Sequence, residues 1–162
     1  MQHPRSADLA ALIEALNAGG VQYLVVGGGA VVLHGTGINT LDLDIVPRRT
    51  PENAARLLST LQSLGVYIIE PMKRRLKPRE ADFLGRGQLN LSTDLGPLDV
   101  LCVLHDGRGY DELIDQTVAM GGDDLPVRVL DIPTLIEVKA AIGRPRDRMA
   151  VAALLRLLED PP

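Results

Sequence analysis

The chain has 162 residues, of which 46% are hydrophobic and 23% charged, and its net charge is −4. That size suits one compact domain with its own core. One Phe, three Tyr and no Trp argue against an aromatic base-stacking platform, and the acidic balance argues against a generally basic nucleic-acid binder.

In chain order, the first helix runs to about Asn17, capped by Ser6 or Asp8, with Leu9, Leu12, Ile13 and Leu16 on one face. Gly19-Gly20 ends it, and residues 21–26 read as a buried strand. Gly27-Gly28-Gly29 then turns the chain into a short helix over 30–34. The next strand covers 41–46 and stops at Pro47. Thr50 caps a helix of about fourteen residues that opens on Pro51 and buries Leu57, Leu58, Leu61 and Leu64. A strand at 66–69 is closed by Pro71, and residues 72–81 are basic and irregular. Short strands are expected at 82–84 and 88–91, and a longer one at 98–104. Residues 110–116 read as helix, 127–130 as strand and 131–142 as helix. After Gly143-Arg144-Pro145, Asp147 caps a final helix to Glu159 and is placed to orient Lys139 or an arginine as well. Arg144, Arg146 and Arg148 alternate around Pro145 and could bind phosphate or a polynucleotide. The organisation is α/β, with no repeat and no second domain, so a single domain is expected over 1–162.

Cys102 lies in the apolar run Val100-Leu101-Cys102-Val103-Leu104. It reads as a buried structural thiol and fits a reducing compartment, hence a cytoplasmic chain. No signal peptide is expected, and no apolar run reaches the ~20 residues of a membrane span.

The chemistry concentrates in three acids and a glycine turn. Asp42 and Asp44 are spaced i, i+2, so a strand projects both from one face while Leu43 and Ile45 enter the core. Side-by-side carboxylates repel unless a cation lies between them, and such hard oxygen donors suit Mg²⁺ shared with substrate phosphates. Asp99 is the one acid in Pro97-Leu98-Asp99-Val100-Leu101, a costly position unless it is paired or metal-bound. If the two strands are neighbours, all three acids converge; two could hold metal while one takes a proton from an attacking hydroxyl. Gly27-Gly28-Gly29, between strand and helix, lets backbone N–H groups approach a phosphate. It is neither a dinucleotide fingerprint nor a P-loop, because Ala30-Val31-Val32 follows and no Lys-Ser/Thr does.

Val26-Gly27-Gly28, the Asp42-Leu43-Asp44 pair and a strand-borne Asp99 resemble the DNA polymerase β-type nucleotidyltransferase superfamily. More narrowly, the chain is similar to the minimal AbiEii-like and MenT-like nucleotidyltransferase toxins of bacterial toxin–antitoxin systems. Lys139 in Leu135-Ile136-Glu137-Val138-Lys139, and then Gly143-Arg144-Pro145-Arg146-Asp147, stand where those proteins carry a helical Lys and a later Asp. The resemblance implies a small mixed sheet flanked by helices and a transfer of NMP from an NTP such as ATP. Asp42, Asp44 and Asp99 would hold two Mg²⁺, with Mn²⁺ as a substitute. Lys139 and Asp147 join them as catalytic residues, and Gly27, Gly28, Gly29, Thr40, Lys139 and Arg144 would bind the nucleotide. The implied acceptors are a tRNA 3′ end, a protein side chain or a small molecule such as an aminoglycoside, and the implied partner is a cognate antitoxin.

One position departs from that pattern. Ile38 stands four residues before the first acid, where an Arg is common, while Thr40 is retained. Arg48, Arg49 or the cluster Lys73, Arg74, Arg75, Lys77 and Arg79 could supply the missing cation, and that basic loop favours RNA as acceptor. His34 reads as structural. Two other classes compete. A metal nuclease leaves the glycine turn unexplained. A catalytically degenerate relative that binds RNA or protein is favoured by Ile38 and opposed by the three intact acids.

Overall fold

The computed structural model describes residues 2–161; Met1 and Pro162, the ends of the expected domain, lie outside the described residues. Seven strands form one mixed sheet: β1 (Tyr23–Val26), β2 (Leu43–Pro47), β3 (Tyr67–Ile68), β4 (Gln88–Thr93), β5 (Gly96–Leu101), β6 (Thr117–Met120) and β7 (Val127–Leu130). Their spatial order is β3-β4-β5-β2-β1-β7-β6. β2–β5 and β1–β7 are parallel, and the other neighbours are antiparallel. Six helices accompany the sheet: α1 (Leu9–Ala18), α2 (Gly27–Leu33), α3 (Pro51–Ser63), α4 (Tyr110–Leu113), α5 (Ile132–Ile142) and α6 (Pro145–Glu159).

Local chemistry sets the helix ends. Asp8 accepts the N–H of Ala11 at 3.0 Å, Thr50 that of Asn53 at 3.2 Å, and Asp131 that of Thr134 at 2.9 Å. Leu12, Ile13 and Leu16 of α1 and Leu57 and Leu61 of α3 enter one continuous core with the sheet's Leu24, Val25, Leu43, Ile45, Leu98 and Val100. Each such side chain contributes roughly 1.5–3 kcal/mol on full burial. Fully buried Asn53 staples α3 to the β1–β2 pair: its amide receives the N–H of Gln22 and donates to the carbonyls of Gln22 and Arg48.

Several sequence expectations shift. α2 starts at Gly27 rather than at Ala30. Residues 82–84 are not a strand: Glu80–Phe83 is a 3-10 turn, anchored by buried Phe83 and by Asp82 accepting the N–H of Arg79. β5 starts at Gly96, just past the tight turn from β4, and ends at Leu101. The expected helix over 110–116 is α4 followed by a 3-10 turn, Ile114–Gln116. β6 has no counterpart among the expected elements; it is a half-exposed edge strand defined by its pairing to β7. Asp147 is not the first cap of α6, which begins at Pro145, but lies one turn in and accepts the N–H of Arg144 at 3.2 Å. No helix among the described residues is long and apolar enough to cross a membrane.

Candidate active site

β2 and β5 lie side by side and parallel, with Asp44 the register partner of Asp99. Asp42 precedes β2 by one residue and shares the face of Asp44. One carboxylate oxygen from each of the three acids lies within 4.8 Å of the other two. Leu43, Ile45, Leu98 and Val100, all 0% exposed, fix the strands from the opposite face.

The electrostatics of this cluster are unresolved from within. Burial, then the charges of Asp44 and Asp42, push the Asp99 carboxyl up to about 8. Burial also raises Asp44, against hydrogen bonds from Asp99 and the Gly28 N–H that favour its ionised form. Like charges this close cannot all ionise cheaply. A divalent cation removes the repulsion and is suited by an all-oxygen donor set. The residues present therefore fit such an ion.

The glycine turn is explained by its closeness to these acids. Gly27 has φ +58, the left-handed region, and a Cβ there would run into Asp44 Oδ2. The Gly28 N–H donates to that oxygen at 3.3 Å, and a Cβ on Gly28 would lie 2.6 Å from Thr40 Oγ1. Gly29 instead packs toward Leu43, where a Cβ would lie 3.2 Å from Cδ1. Gly27 and Gly28 thus line the open cleft and Gly29 the core. The Thr40 hydroxyl donates to the carbonyl of Asp42 at 3.1 Å, shaping the bend that delivers the first acid.

The cleft over the acids has a volume of about 1010 Å³, ample for a small-molecule ligand. Lys139 and Arg144 also line it. Asp147 does not line it; fully buried, it receives Lys139 Nζ at 3.3 Å and Arg144 Nε at 2.6 Å. Burial works to raise the Asp147 carboxyl, but the hydrogen bonds from Arg144 and Lys139 win and hold it below the usual carboxylate range. Gly143, left-handed at φ +70, and Pro145 at the first turn of α6 make the sharp corner that brings the three residues together. Asp147 thus ties the two cations to the start of α6.

Ile38 and Arg146 line the cleft, as do two residues that sequence reasoning missed, Arg86 and His105. Arg86, between Gly85 and Gly87, carries no local signal; the pairing of β4 with β5 brings it to the cleft. Arg48 is instead paired with Asp111 at 3.3 Å, and Arg49 donates to the carbonyl of Gly85 at 3.1 Å. The 73–79 cluster lies beyond β3 at the sheet edge and lines no part of the cleft. His34 is structural, its Nε2 bonded to the carbonyl of Leu130 at 2.8 Å.

Solved structures share this architecture. LnuA, a lincosamide antibiotic adenylyltransferase crystallised with lincomycin, superposes with a TM-score of 0.64 at 14% identity, over 93% of this chain and 98% of that one. The chain has the nucleotidyltransferase fold. The same fold is found in ANT(2″)-Ia in complex with adenylyl-2″-tobramycin, with a TM-score of 0.55 at 12% identity over 91% of this chain and 85% of that one. It is found again in an antigenic nucleotidyltransferase-like protein from Paracoccidioides brasiliensis, with a TM-score of 0.51 at 13% identity over 92% and 74%. No protein-family model matches the chain, and no curated protein matches it in sequence.

Proposed function

We propose that this chain is a nucleotidyltransferase that moves an NMP from an NTP to a hydroxyl of its acceptor. The observation that carries this reading is the register pairing of Asp44 with Asp99, beside Asp42, on a nucleotidyltransferase fold. Asp42, Asp44 and Asp99 would hold Mg²⁺, two ions by resemblance, with Mn²⁺ as a substitute. The bound ions would neutralise phosphate charge and polarise the α-phosphate. Gly27 and Gly28 offer close backbone approach to the phosphates, with Thr40 beneath them. Lys139 and Arg144, held by Asp147 at the lining of the same cleft, would meet the triphosphate charge. Asp99, once a bound cation has displaced its proton, would take the proton of the attacking hydroxyl. The acceptor oxygen bonds to the α-phosphorus, the bond to the β-phosphate bridge breaks, and pyrophosphate leaves. Orientation and charge stabilisation supply the rate.

The acceptor in this reading is the terminal hydroxyl of an RNA, with a tRNA 3′ end first. The resemblance to minimal toxins extends it to a cytoplasmic toxin held in check by an antitoxin. A small hydroxylated acceptor is the second reading, favoured by the lincomycin and adenylyl-tobramycin complexes of the same fold. The test incubates the protein with each labelled NTP and Mg²⁺, offering total tRNA, an aminoglycoside or a lincosamide, beside an Asp42→Ala/Asp44→Ala variant. Transfer by the native chain alone supports the enzyme, and the labelled product names the acceptor. No transfer with any nucleotide or acceptor leaves the degenerate binding module standing instead.

A further inference from the structure

Residues 70–87, which join β3 to β4, carry six cations against three acids in a chain of net charge −4. This segment is tied down at its base. The Ile68 N–H donates to the carbonyl of Leu76 at 2.6 Å, and the Glu70 carboxylate receives the N–H groups of Met72 and Arg74. The Arg75 guanidinium lies 5.3 Å from the centre of the Tyr67 ring, which stacks on His3 at 4.7 Å. Lys73 and Arg75 both hold left-handed backbone, at φ 52 and 54, where glycine costs nothing. Glu70 engages Arg74, and Asp82 lies 3.7 Å from Arg79. Among the described residues Lys73 and Lys77 form no ion pair.

Strand register links this loop to the acids. The Ile69 N–H donates to the carbonyl of Asn90 at 2.8 Å, Asn90 is the register partner of Asp99, and Asp99 that of Asp44. Directly opposed residues of an antiparallel pair share a face, as do residues two apart on a strand. Asn90 and Gln88 therefore lie on the face of the acids. Both are exposed, Gln88 Nε2 donates to Asn90 Oδ1 at 3.0 Å, and Gln88 and Arg86 line the cleft. An open polar strip thus runs from the acids across β4 to the cationic edge, roughly 10 Å at two strand spacings.

We propose that this strip and loop dock the phosphate backbone of a single-stranded RNA end, guiding its terminal hydroxyl to the acids. The proposal rests on the nucleotidyl-transfer reading. Phosphates meet Lys73, Lys77 and Arg79, and the amides of Gln88 and Asn90 bond sugar hydroxyls or base edges. The charge is complementary to a polyanion, and a strip of neutral amides leading to a hydroxyl-activating site suits a nucleic acid better than an acidic protein.

The experiment measures binding of the whole protein to 5′-labelled tRNA by fluorescence anisotropy, without NTP, across a salt series. The Lys73→Ala/Lys77→Ala/Arg79→Ala variant is compared at matched thermal stability, with Lys73→Arg/Lys77→Arg as the charge-keeping control. The triple variant should bind about tenfold more weakly at low salt and reduce the salt slope by about 2, since each lost phosphate contact removes about 0.7. The arginine variant should bind as the native chain does. An unchanged affinity and slope in the triple variant overturns the proposal, as does polyglutamate competing as well as RNA at equal charge. Loop-dependent binding without any nucleotide transfer to RNA keeps the dock and removes the acceptor reading. Transfer to RNA that ignores the loop variant keeps the reading and removes the dock.

Discussion

Two carboxylates of this molecule reach opposite electrostatic ends. Asp147 is 0% exposed, yet its carboxyl sits below the usual range, because Lys139 and Arg144 meet it from within the fold. Asp99, half-buried, is pushed up to about 8, by burial first and then because its neighbours Asp44 and Asp42 carry the same sign. Burial alone does not decide a carboxylate's charge; its partners do. The C-terminal corner is satisfied and acts as scaffold, while the acid face carries a repulsion that a proton on Asp99 or a divalent cation relieves.

That contrast can be tested from either side. The largest effect is expected for Asp44→Ala, which removes the acid common to both strand pairings. Nucleotide transfer should fall about 10³-fold, while the melting temperature of the metal-free protein holds or rises as repulsion is relieved. A large loss of stability in this variant would place Asp44 with Asp147 as scaffold.

Next comes pH. Asp99 binds its proton more tightly folded than unfolded, so stability of the metal-free protein is greatest near the ordinary carboxylate range and falls as pH rises from about 4 through 8. Asp99→Asn should flatten that slope in a thermal-melt series. Cation binding must displace the same proton, so apparent Mg²⁺ affinity should rise by up to about tenfold per pH unit between 6 and 8. A calorimetric titration showing no proton release would break the argument.

On the satisfied side, Asp147→Ala leaves Lys139, 12% exposed, facing an empty place. Urea unfolding should show a loss of about 3 kcal/mol, and the cations it held should lose their grip on substrate, seen as a raised KM. Asp147→Asn keeps the shape without the charge; a full recovery of stability by Asn would show that shape, not pairing, holds the corner. The smallest expected effect is Gly27→Ala, about 1–2 kcal/mol for a left-handed residue. Its added Cβ also displaces Asp44, so activity should drop further than stability does.

Much of the acid face was legible because its signals are local. Alternation put Asp42 and Asp44 on one face, and a lone acid in an apolar strand marked Asp99 before any pairing was known. The glycine turn was legible as a close approach, although its nearest neighbour proved to be the Asp44 carboxylate itself. Arg86 and His105 were not legible, since loops bring them to the cleft and nothing in their flanks records it. β6 was missed for the same reason: its residues are half-exposed, and only the partner strand β7 makes them a strand. Asp147 was legible both as a helix-start residue and as a group orienting Lys139 or an arginine; its complete burial was not, because the corner at Gly143-Arg144-Pro145 fixes that geometry in three dimensions.

The parallel pairing of β2 with β5 also bears on how the protein is made. Asp44 and Asp99 lie about a third of the chain apart, and Lys139 follows later still. Contacts of such long sequence separation close late in folding. A chain still emerging from the ribosome carries its Asp42-Leu43-Asp44 pair early, but has no third acid until β5 is extruded and no cationic wall until α5 and the turn into α6 follow. The fold thus delays assembly of this site until α5 and the turn into α6 have been made, and a product truncated before β5 would carry the most recognisable motif of the sequence without its third acid.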